Sequence, residues 1–328
     1  MFNERRSLFC ALSAILIALC FCGCDNSASG NKKSKPFDCF SVHFLDVGEG
    51  DSAFIYFSDG KTMLIDCAPP DQKISKSIID FIKNGGVSRI DYLILTHPDS
   101  DHVGNAVDII NSFEIGVAYI PDIIDAHLPL FPLYKSAVER LNEKEISINT
   151  SDCLDVIVGQ DYGVAFLSPT PKSFTNSTYR DFNATKVPTE EQSNALSPII
   201  YLQSQQLTFV FTGDAPEEQE KFAYKNSVTQ SGYYQKQGVN VNLENVDFLK
   251  VSHHGSNDAS CSEFVRALKP ENAVISVSGS NNYGHPSDQV LSRLETANEN
   301  VKIWRTDVHG IISVYVKDGQ SQVVTQIS

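Results

Sequence analysis

The stretch Thr96-His97-Pro98-Asp99-Ser100-Asp101-His102-Val103-Gly104 places four metal-capable side chains within six positions, namely His97, Asp99, Asp101 and His102. It continues an apolar run from Ile90 that is predicted to form a buried strand. Open α/β folds gather their ligands at the carboxyl ends of strands, and His with Asp suits a divalent metal. The stretch therefore indicates a metal site in an α/β protein. The alternative is a polar turn with Ser100 or Asp101 as the N-cap of a helix.

A second candidate ligand follows another apolar strand, predicted over Leu207–Thr212. Asp214 stands directly after it, in Phe211-Thr-Gly-Asp214-Ala-Pro. Its carboxylate would face the same edge of the sheet and could bridge two metals. The alternative is that Asp214 caps a helix that starts at Pro216.

A third strand end carries the paired histidines of Ser252-His253-His254-Gly255-Ser256. Adjacent side chains on an extended strand point in opposite directions, so at most one of the pair is expected to be a ligand. We favour His254 as the ligand and give His253 a supporting role.

The rest of the chain predicts an α/β domain. Ser41–Val47, Asp51–Phe57 and Thr62–Cys67 are β-rich runs divided by turns, which predicts a three-stranded meander. Isoleucines on one helical face follow, and Asn84-Gly85-Gly86 predicts the end of that helix. Further helices are expected over residues 103–112, 133–142, 216–225, 261–268 and 287–297, with strands between them. Residues 226–245, rich in Gln, Asn, Tyr and Gly, are interpreted as an exposed insertion and a candidate lid.

The amino-terminal residues are typical of an exported protein. Two arginines precede a short apolar run that ends in Cys22-Gly23-Cys24, so residues 1–23 are predicted to be a signal peptide. Cys24 is the expected lipidation site, because the small Gly23 precedes it. Residues 24–36 are polar and predict a lipid-anchored flexible tether, and residues 37–328 a single hydrolase domain. We expect an extracytoplasmic protein held at the cell membrane, with simple secretion as the alternative.

Charge and cysteine content narrow the function. A formal net charge of −14 opposes loose binding to nucleic acid, so a polyanionic substrate would need metal ions at the site. Cys39, Cys67, Cys153 and Cys261 lack C-x-x-C spacing, and the sequence leaves open whether they form disulfides or stay as buried thiols.

Seven motifs in order resemble the hydrolase domain of the ComEC family of DNA-uptake competence proteins. They are Phe44–Ser52, Thr96–Gly104, Asn194–Ser197, Thr212–Asp214, Ser252–Ser256, Tyr283–Pro286 and Arg305–Asp307. The resemblance implies an αββα sandwich of the metallo-β-lactamase fold and two divalent metal ions. The polytopic membrane part of those proteins is not in this sequence, so a complete DNA channel is not expected.

The resemblance also implies a ligand set. His97, Asp99 and Asp214 would hold one metal, and Asp101, His102, Asp214 and His254 the other, with Asp66, His253, Asn194 and Ser197 supporting them. Two features depart from the H-x-H-x-D-H signature of the wider fold: Asp99 replaces a histidine, and no histidine lies between His127 and His253. An oxygen-rich first site makes Mn²⁺ a candidate beside Zn²⁺.

The remaining polar residues of these motifs divide into two groups. Asp101 and His285 are the candidate catalytic residues, His285 as a proton donor or phosphate contact or, equally, as a structural loop histidine. Structural roles are expected for His43, His127 and His309, and for the turn residues Asp46, Glu49 and Asp51.

These observations predict a metal-dependent phosphodiesterase or nuclease that acts on extracellular DNA. One alternative is a cell-envelope phosphodiesterase acting on teichoic acid or phosphocholine esters. Another is a non-catalytic DNA-binding module of an uptake system. No protein partner is identifiable from the sequence.

Overall fold

Short strands rich in β-branched and aromatic residues open the domain and pair in sequence order. In the computed structural model, which describes residues 37, 39–123, 128–169, 190–317 and 320–327, they are β1 (Ser41–Phe44), β2 (Ala53–Tyr56) and β3 (Thr62–Ile65). Each pairs antiparallel with the next. The predicted meander is confirmed, with each strand shorter than its apolar run.

The described strands form two mixed sheets, and β1 to β3 belong to the first. The first has the order β15-β14-β1-β2-β3-β4-β5-β6, and its further strands are β4 (Arg89–Ile94), β5 (Glu114–Ile120), β6 (Ser147–Thr150), β14 (Ile312–Lys317) and β15 (Gln320–Thr325). The second has the order β13-β12-β11-β10-β9-β8-β7, with β7 (Val156–Val158), β8 (Tyr162–Phe166), β9 (Ile200–Ser204), β10 (Leu207–Phe211), β11 (Phe248–Lys250), β12 (Asn272–Ile275) and β13 (Lys302–Arg305). Strands β3 to β6 run parallel to one another, as do β10 to β13.

Helices cover the outer face of each sheet. Over the first sheet lie α1 (Gln72–Asn84), α3 (Ala106–Ser112) and α4 (Pro132–Glu143), whose apolar residues join one core with Leu64 and Leu93. Over the second lie α6 (Glu217–Thr229), α7 (Ser231–Lys236), α8 (Ser262–Leu268) and α9 (Asp288–Ala297). The short helices α2 (Ser100–Val103), α5 (Glu190–Asn194) and α10 (Thr306–His309), with the 3₁₀ turns η1 (Leu128–Leu130) and η2 (Ser252–Gly255), lie in the connections.

A core of aromatic residues holds the two sheets face to face. Phe44 packs on Phe211, and Phe40 on Phe209, across the space between the sheets. Burial of each such side chain stabilises the fold by roughly 1.5–3 kcal/mol. The α/β class and the αββα sandwich are therefore confirmed.

The strand order sets where the loops meet. The parallel strands of both sheets direct their carboxyl ends to one edge of the sandwich, which brings together the loops after β3, β4, β10, β11 and β12. Five of the seven motifs lie in these loops or in the turn after β1, whereas Asn194–Ser197 lies between β8 and β9 and Arg305–Asp307 lies at the end of β13.

Some predictions differ from the structure. Residues 226–245 are mostly exposed, as predicted, but they do not have the loose packing of a lid, because α7 within them buries Tyr234 completely and the Tyr234 hydroxyl donates to Phe166 O (2.8 Å). The helix predicted over 103–112 is split into α2 and α3. Strands β6, β7, β13 and β15 were not predicted.

The described residues also show the state of the buried cysteines and whether any helix could span a membrane. Cys67, Cys153 and Cys261 are buried thiols and form no disulfide. Within the described part of the chain, no helix has the length and apolarity needed to cross a bilayer. The signal peptide, Cys24, the tether and His127 lie outside the described residues, so those predictions remain.

Candidate metal centre

The loop after β4 carries the first ligand candidates into the interior. His97 and His102 are fully buried, while Asp99 and Asp101 are partly exposed. Asp99, not Ser100 or Asp101, occupies the N-cap position of α2, and its side chain makes no capping hydrogen bond. The N-cap interpretation of this loop is therefore wrong.

Four of the predicted ligands form a tight group. One donor atom from each of Asp101, His102, Asp214 and His254 lies within 4.8 Å of all the others. Asp214 is at the centre: its Oδ1 is 3.3 Å from His102 Nε2, and its Oδ2 is 3.6 Å from His254 Nε2. His254 Nε2 is also 3.4 Å from Asp101 Oδ2.

Asp214 also faces a second, looser group. His97 Nε2 lies 3.9 Å from Asp214 Oδ2 and 3.8 Å from Asp99 Oδ2. Helix α6 starts at Glu217 with Pro216 in the N-cap position, so Asp214 does not cap it. A carboxylate shared between two groups of donors is placed as a bridging ligand would be.

Both members of the histidine pair turn towards Asp214. His253 and His254 have left-handed backbones (φ 49° and 53°) in the η2 turn, not the extended backbone that the sequence argument assumed. His253 Nε2 is 3.8 Å from Asp214 Oδ2, close to the 3.6 Å of His254 Nε2. The premise that the pair must point apart is therefore wrong. Left-handed backbone costs roughly 1–2 kcal/mol at a non-glycine residue and is concentrated at functional sites.

Each imidazole is held through its Nδ1 atom. His102 Nδ1 contacts Asp66 Oδ2 at 2.8 Å, and His254 Nδ1 contacts Ser276 O at 3.0 Å. His253 Nδ1 lies 3.1 Å from Asp258 Oδ1. Partners of this kind fix the tautomer and turn Nε2 towards a metal.

Ser197 and its neighbours support the looser group. Ser197 Oγ lies 3.2 Å from His97 Nδ1 and accepts a 3.2 Å hydrogen bond from Asp214 N. The Ser193 hydroxyl donates to Asp99 Oδ1. Asn194, between these serines, is buried, lines the same cavity as Asp99 and Asp214, and leaves its Oδ1 without a hydrogen-bond partner among the described residues.

The donor set fits divalent cations. The Nε2 atoms of His97, His102 and His254 and the Oδ1 atom of Asp214 are buried and have no hydrogen-bond partner in the described part of the chain. One unsatisfied buried polar atom costs about 1–3 kcal/mol, so a convergent group of them implies a ligand that satisfies them together. Nitrogen and carboxylate oxygen donors suit Zn²⁺ and Mn²⁺.

The electrostatics of the group point the same way. Burial opposes a charged His102, but the carboxylates of Asp214, Asp66 and Asp101 outweigh it and raise the pKa of His102 well above its ordinary value. Burial and the nearby His102 lower the pKa of His97 to about 4. Burial raises the pKa of Asp99. The centre thus has an excess of negative potential that favours a bound cation.

A buried ion pair lies behind His254 and was not predicted. Lys250 Nζ is 2.8 Å from Asp51 Oδ2, and Asp51 Oδ1 is 3.5 Å from His254 Nδ1. Both charged side chains are under a tenth exposed. The available sequence signal was one lysine within the apolar strand β11.

A cavity of about 590 Å³ opens over the centre. His285 stands on its wall, with Nδ1 2.9 Å from Glu49 Oε1, and Glu49 Oε2 accepts a hydrogen bond from Ser278 N at 2.8 Å. Glu49 thus contacts the candidate catalytic His285 in addition to the turn role expected for it. A larger cavity of about 720 Å³ between α6 and α8 is lined by no comparable group of metal-capable residues in the described chain, so we place the site at the smaller one.

The other singled-out histidines lie away from the centre. His43 is buried between Ser41 Oγ and Ser313 Oγ, each 2.9 Å away, and burial lowers its pKa to about 3. His309 Nδ1 accepts from Arg305 N at 3.1 Å. Asp46 is exposed.

The fold and this constellation define a metal-dependent hydrolase, and residues 45–279 match the family model of the metallo-β-lactamase superfamily. The chain belongs to that superfamily. Within it, the chain is similar to proteins of the ComEC type. It is 26% identical over 292 residues to ComE operon protein 3 of Bacillus subtilis (strain 168), which covers 84% of this chain and 33% of the relative.

Two further comparisons agree. The chain is 24% identical over 299 residues to Recombination protein 2 of Haemophilus influenzae, covering 89% of this chain and 30% of that protein. It thus spans about a third of the length of these relatives. A variant of CmlA β-hydroxylase shares the fold at a TM-score of 0.52 and 14% identity, over 84% of this chain and 54% of that one.

Proposed function

We propose that this protein is a metal-dependent phosphodiesterase that cleaves DNA outside the cytoplasm. The observation that carries the proposal is the convergence of buried, unpartnered Nε2 atoms on Asp214 beneath an open cavity. The competence and recombination proteins to which the chain is similar support DNA as the substrate.

Two divalent ions at this centre, Mn²⁺ or Zn²⁺, would supply a water of lowered pKa and neutralise charge on the phosphodiester oxygens. The chain's own residues have separate tasks. His97, Asp99 and Asp214 would hold one ion, and Asp101, His102, Asp214 and His254 the other. Asp66 keeps His102 Nε2 directed inward.

His285 is placed to serve the leaving group. Its Nδ1 is engaged by Glu49, which leaves Nε2 as the atom that can reach a bound phosphodiester. In its imidazolium form, balanced by the Glu49 carboxylate, His285 would donate a proton from Nε2 to the departing oxygen or hydrogen-bond a phosphate oxygen.

The surface charge makes the cations essential for binding as well as chemistry. With a formal net charge of −14, the protein repels a polyanion at long range. Cations bound at the cavity would reverse the local sign of the potential. DNA cleavage should therefore depend steeply on free metal.

The experiment compares substrates with purified full chain, metal-stripped and then supplied with Mn²⁺ or Zn²⁺. The substrates are DNA, bis-p-nitrophenyl phosphate, a phosphocholine ester and a β-lactam. We expect metal-dependent hydrolysis of the first two. Asp101→Asn should lower the rate at least ~100-fold, because it removes a ligand, while the exposed Asp80→Asn should not.

Each other outcome has a clear meaning. Hydrolysis of the phosphocholine ester alone would replace DNA by a cell-envelope substrate. Metal-independent DNA binding without turnover would favour the non-catalytic DNA-binding module. Hydrolysis of the β-lactam alone, or near-normal turnover by Asp101→Asn, would overturn the proposal.

We also propose that Cys24 carries the lipid that holds the protein at the outer side of the membrane. The support is Gly23-Cys24 at the close of an apolar leader and the polar stretch that follows. DNA, a membrane surface and two divalent ions are then the partners of this protein.

A further inference from the structure

An exposed aromatic ring stands at the mouth of the cavity. Tyr283 is 74% exposed, the highest value among the large hydrophobic residues that the structure describes. Its ring stacks on that of His285, with centroids 5.5 Å apart and an interplanar angle of 20°. It lines the same cavity as Asp214 and His254.

The loop that carries Tyr283 is fixed by Asn281. The Asn281 side-chain amide donates to Ser278 O (2.7 Å) and His285 O (2.8 Å). Its Oδ1 accepts from Tyr283 N (3.2 Å) and His285 N (2.9 Å). Glu49 holds the loop from below through Ser278 N and His285 Nδ1. The ring is therefore presented on a preorganised backbone, which lowers the entropy lost when a ligand packs on it.

The rings form a path towards the metal centre. From Tyr283 the next ring is His285, and the centroid of His253 lies 5.7 Å beyond it. His253 Nε2 is in turn 3.8 Å from Asp214 Oδ2. A flat group on the outer face of Tyr283 would thus lie next to a phosphodiester seated over Asp214.

An isolated exposed apolar residue needs no explanation by itself. Here the backbone of the loop that carries the exposed ring is fixed by four hydrogen bonds to the Asn281 side chain. The ring itself stacks on a candidate catalytic histidine. The protein also has a formal net charge of −14 and so gains little from contacts to phosphates away from the cations. Stacking is a source of affinity for nucleic acid that needs no basic surface.

We propose that Tyr283 stacks on an unpaired nucleobase beside the phosphodiester to be cleaved, an inference that rests on the proposed function. Base–aromatic stacking is worth about 1–3 kcal/mol per base and tolerates any sequence, because every base has a π-face. In a duplex that face is covered by neighbouring bases, so the ring selects single strands and frayed ends. Cell-envelope phosphodiesters without bases gain nothing from it.

The experiment measures binding and turnover of matched ligands by full-length protein. Fluorescence anisotropy uses ligands with phosphorothioate linkages, which resist hydrolysis, so that every candidate metal ligand of the protein is kept. The ligands are a single-stranded oligonucleotide, a fully abasic oligonucleotide of equal length and a blunt duplex. Steady-state KM and kcat are measured with the otherwise wild-type protein.

We expect the single strand to bind more tightly than the abasic strand, and Tyr283→Ala to reduce that ratio by roughly 5- to 100-fold. Tyr283→Phe should keep the ratio within about twofold, because it retains the ring. The effect should appear in KM and not in kcat. Tyr233→Ala, which removes a partly exposed tyrosine of α7, is the matched control.

The two proposals fail in different ways. Equal affinity for base-bearing and abasic strands, or an unchanged ratio in Tyr283→Ala, overturns the stacking inference even where DNA is cleaved. Base-dependent binding that Tyr283→Ala abolishes supports the inference, even where the wild-type protein cleaves no phosphodiester and the proposed function fails.

Discussion

His102 and Asp66 form a buried pair, with Nδ1 of the imidazole 2.8 Å from Oδ2 of the carboxylate. The same carboxylate accepts hydrogen bonds from Thr96 N (2.8 Å) and from the Thr96 hydroxyl (2.7 Å). Both oxygens of Asp66 are thus occupied, and His102 is left with Nε2 as its free coordinating atom. The sequence assigned Asp66 this orienting task from a motif alone, and the contact is consistent with it.

Asp66→Asn should therefore weaken metal binding without removing a ligand. The amide can present an N–H where His102 Nδ1 requires an acceptor, so the ring loses its fixed tautomer. We expect a 10- to 100-fold loss of metal affinity, roughly the effect of losing such an outer partner. Competition with a chromogenic chelator measures it. Asp80→Asn on the exposed face of α1 is the control, and equal affinities in the two variants would contradict the assignment.

Asp99 should set the metal preference of the looser group. Its Oδ2 lies 3.8 Å from His97 Nε2, where a carboxylate favours Mn²⁺ more than an imidazole would. We expect faster phosphodiester hydrolysis with Mn²⁺ than with Zn²⁺, and Asp99→His to reverse or narrow that ratio while raising zinc retention during dialysis. Best reactivation of the stripped wild-type protein by Zn²⁺ would rule this out.

The Lys250–Asp51 pair should matter mainly for stability. Lys250→Met leaves Asp51 buried without its cation, which costs about 3–5 kcal/mol in the free energy of unfolding. Adding Asp51→Asn should restore part of that loss, because it removes the unpaired charge. Urea denaturation measures both. Lys302→Met, at an exposed lysine of β13, should stay within about 0.5 kcal/mol of wild type. A double variant no more stable than Lys250→Met would contradict the pairing.

Glu220 should make stability depend on pH at a site far from the metal centre. Burial raises its pKa to about 7, although the backbone N–H groups of Ser260 and Cys261 (each 2.7 Å) favour the carboxylate. The pKa of Glu220 is 4.5 in the unfolded chain and about 7 in the folded protein. Between these two pH values the folded state holds a proton on Glu220 that the unfolded state has lost. Stability from this group is therefore present at low pH and is lost, by about 3 kcal/mol, as pH rises through that window.

Glu220→Gln removes this titration. The variant should be less stable than wild type at pH 5, and the gap should narrow by pH 8, as measured by urea denaturation. Glu218→Gln, at the exposed start of α6, is the control and should follow the wild-type profile. Parallel profiles of wild type and Glu220→Gln would show that Glu220 does not titrate in this range.

Cys24→Ala should release the protein from membranes or block its maturation, because the acylated thiol is the proposed anchor. Cell fractionation gives the location, and intact-mass analysis of membrane-extracted wild-type protein gives the modification. Absence of an acyl group on Cys24 in that material would exclude the lipoprotein interpretation. Retention of the alanine variant at the membrane would do so as well.

The sequence predicted those parts of the site that lie at strand ends. His97, His102 and Asp214 follow apolar runs. An apolar run followed by polar residues is a local pattern that the sequence alone shows. The position of His253 was not predictable, because its left-handed backbone is set by the η2 turn and not by residue type. The Glu49–His285 contact joins residues 236 positions apart, and no local pattern specifies such a pairing.

The strands and helices of the fold were likewise predicted where the local sequence pattern is clear and missed where it is not. The meander and the buried parallel strands were found because their residues are continuously apolar. Strand β6 was missed because Ser147–Thr150 is polar and largely exposed at a sheet edge. The segment around Tyr234 looked like a lid because Gln, Asn and Gly surround the few apolar residues by which it packs against the second sheet.

The ligand candidates are divided between the two sheets. His97 to His102 follow β4 of the first sheet, whereas Asp214 and His254 follow β10 and β11 of the second. A cation bound by both sets would cross-link the two sheets. The stability of the folded domain would then depend on metal occupancy. At a hundredfold excess over its dissociation constant, such an ion adds about 2.7 kcal/mol to the folded state. Chelation would then lower the stability of the folded domain as well as its activity, and the metal supply would set how well the protein resists proteases.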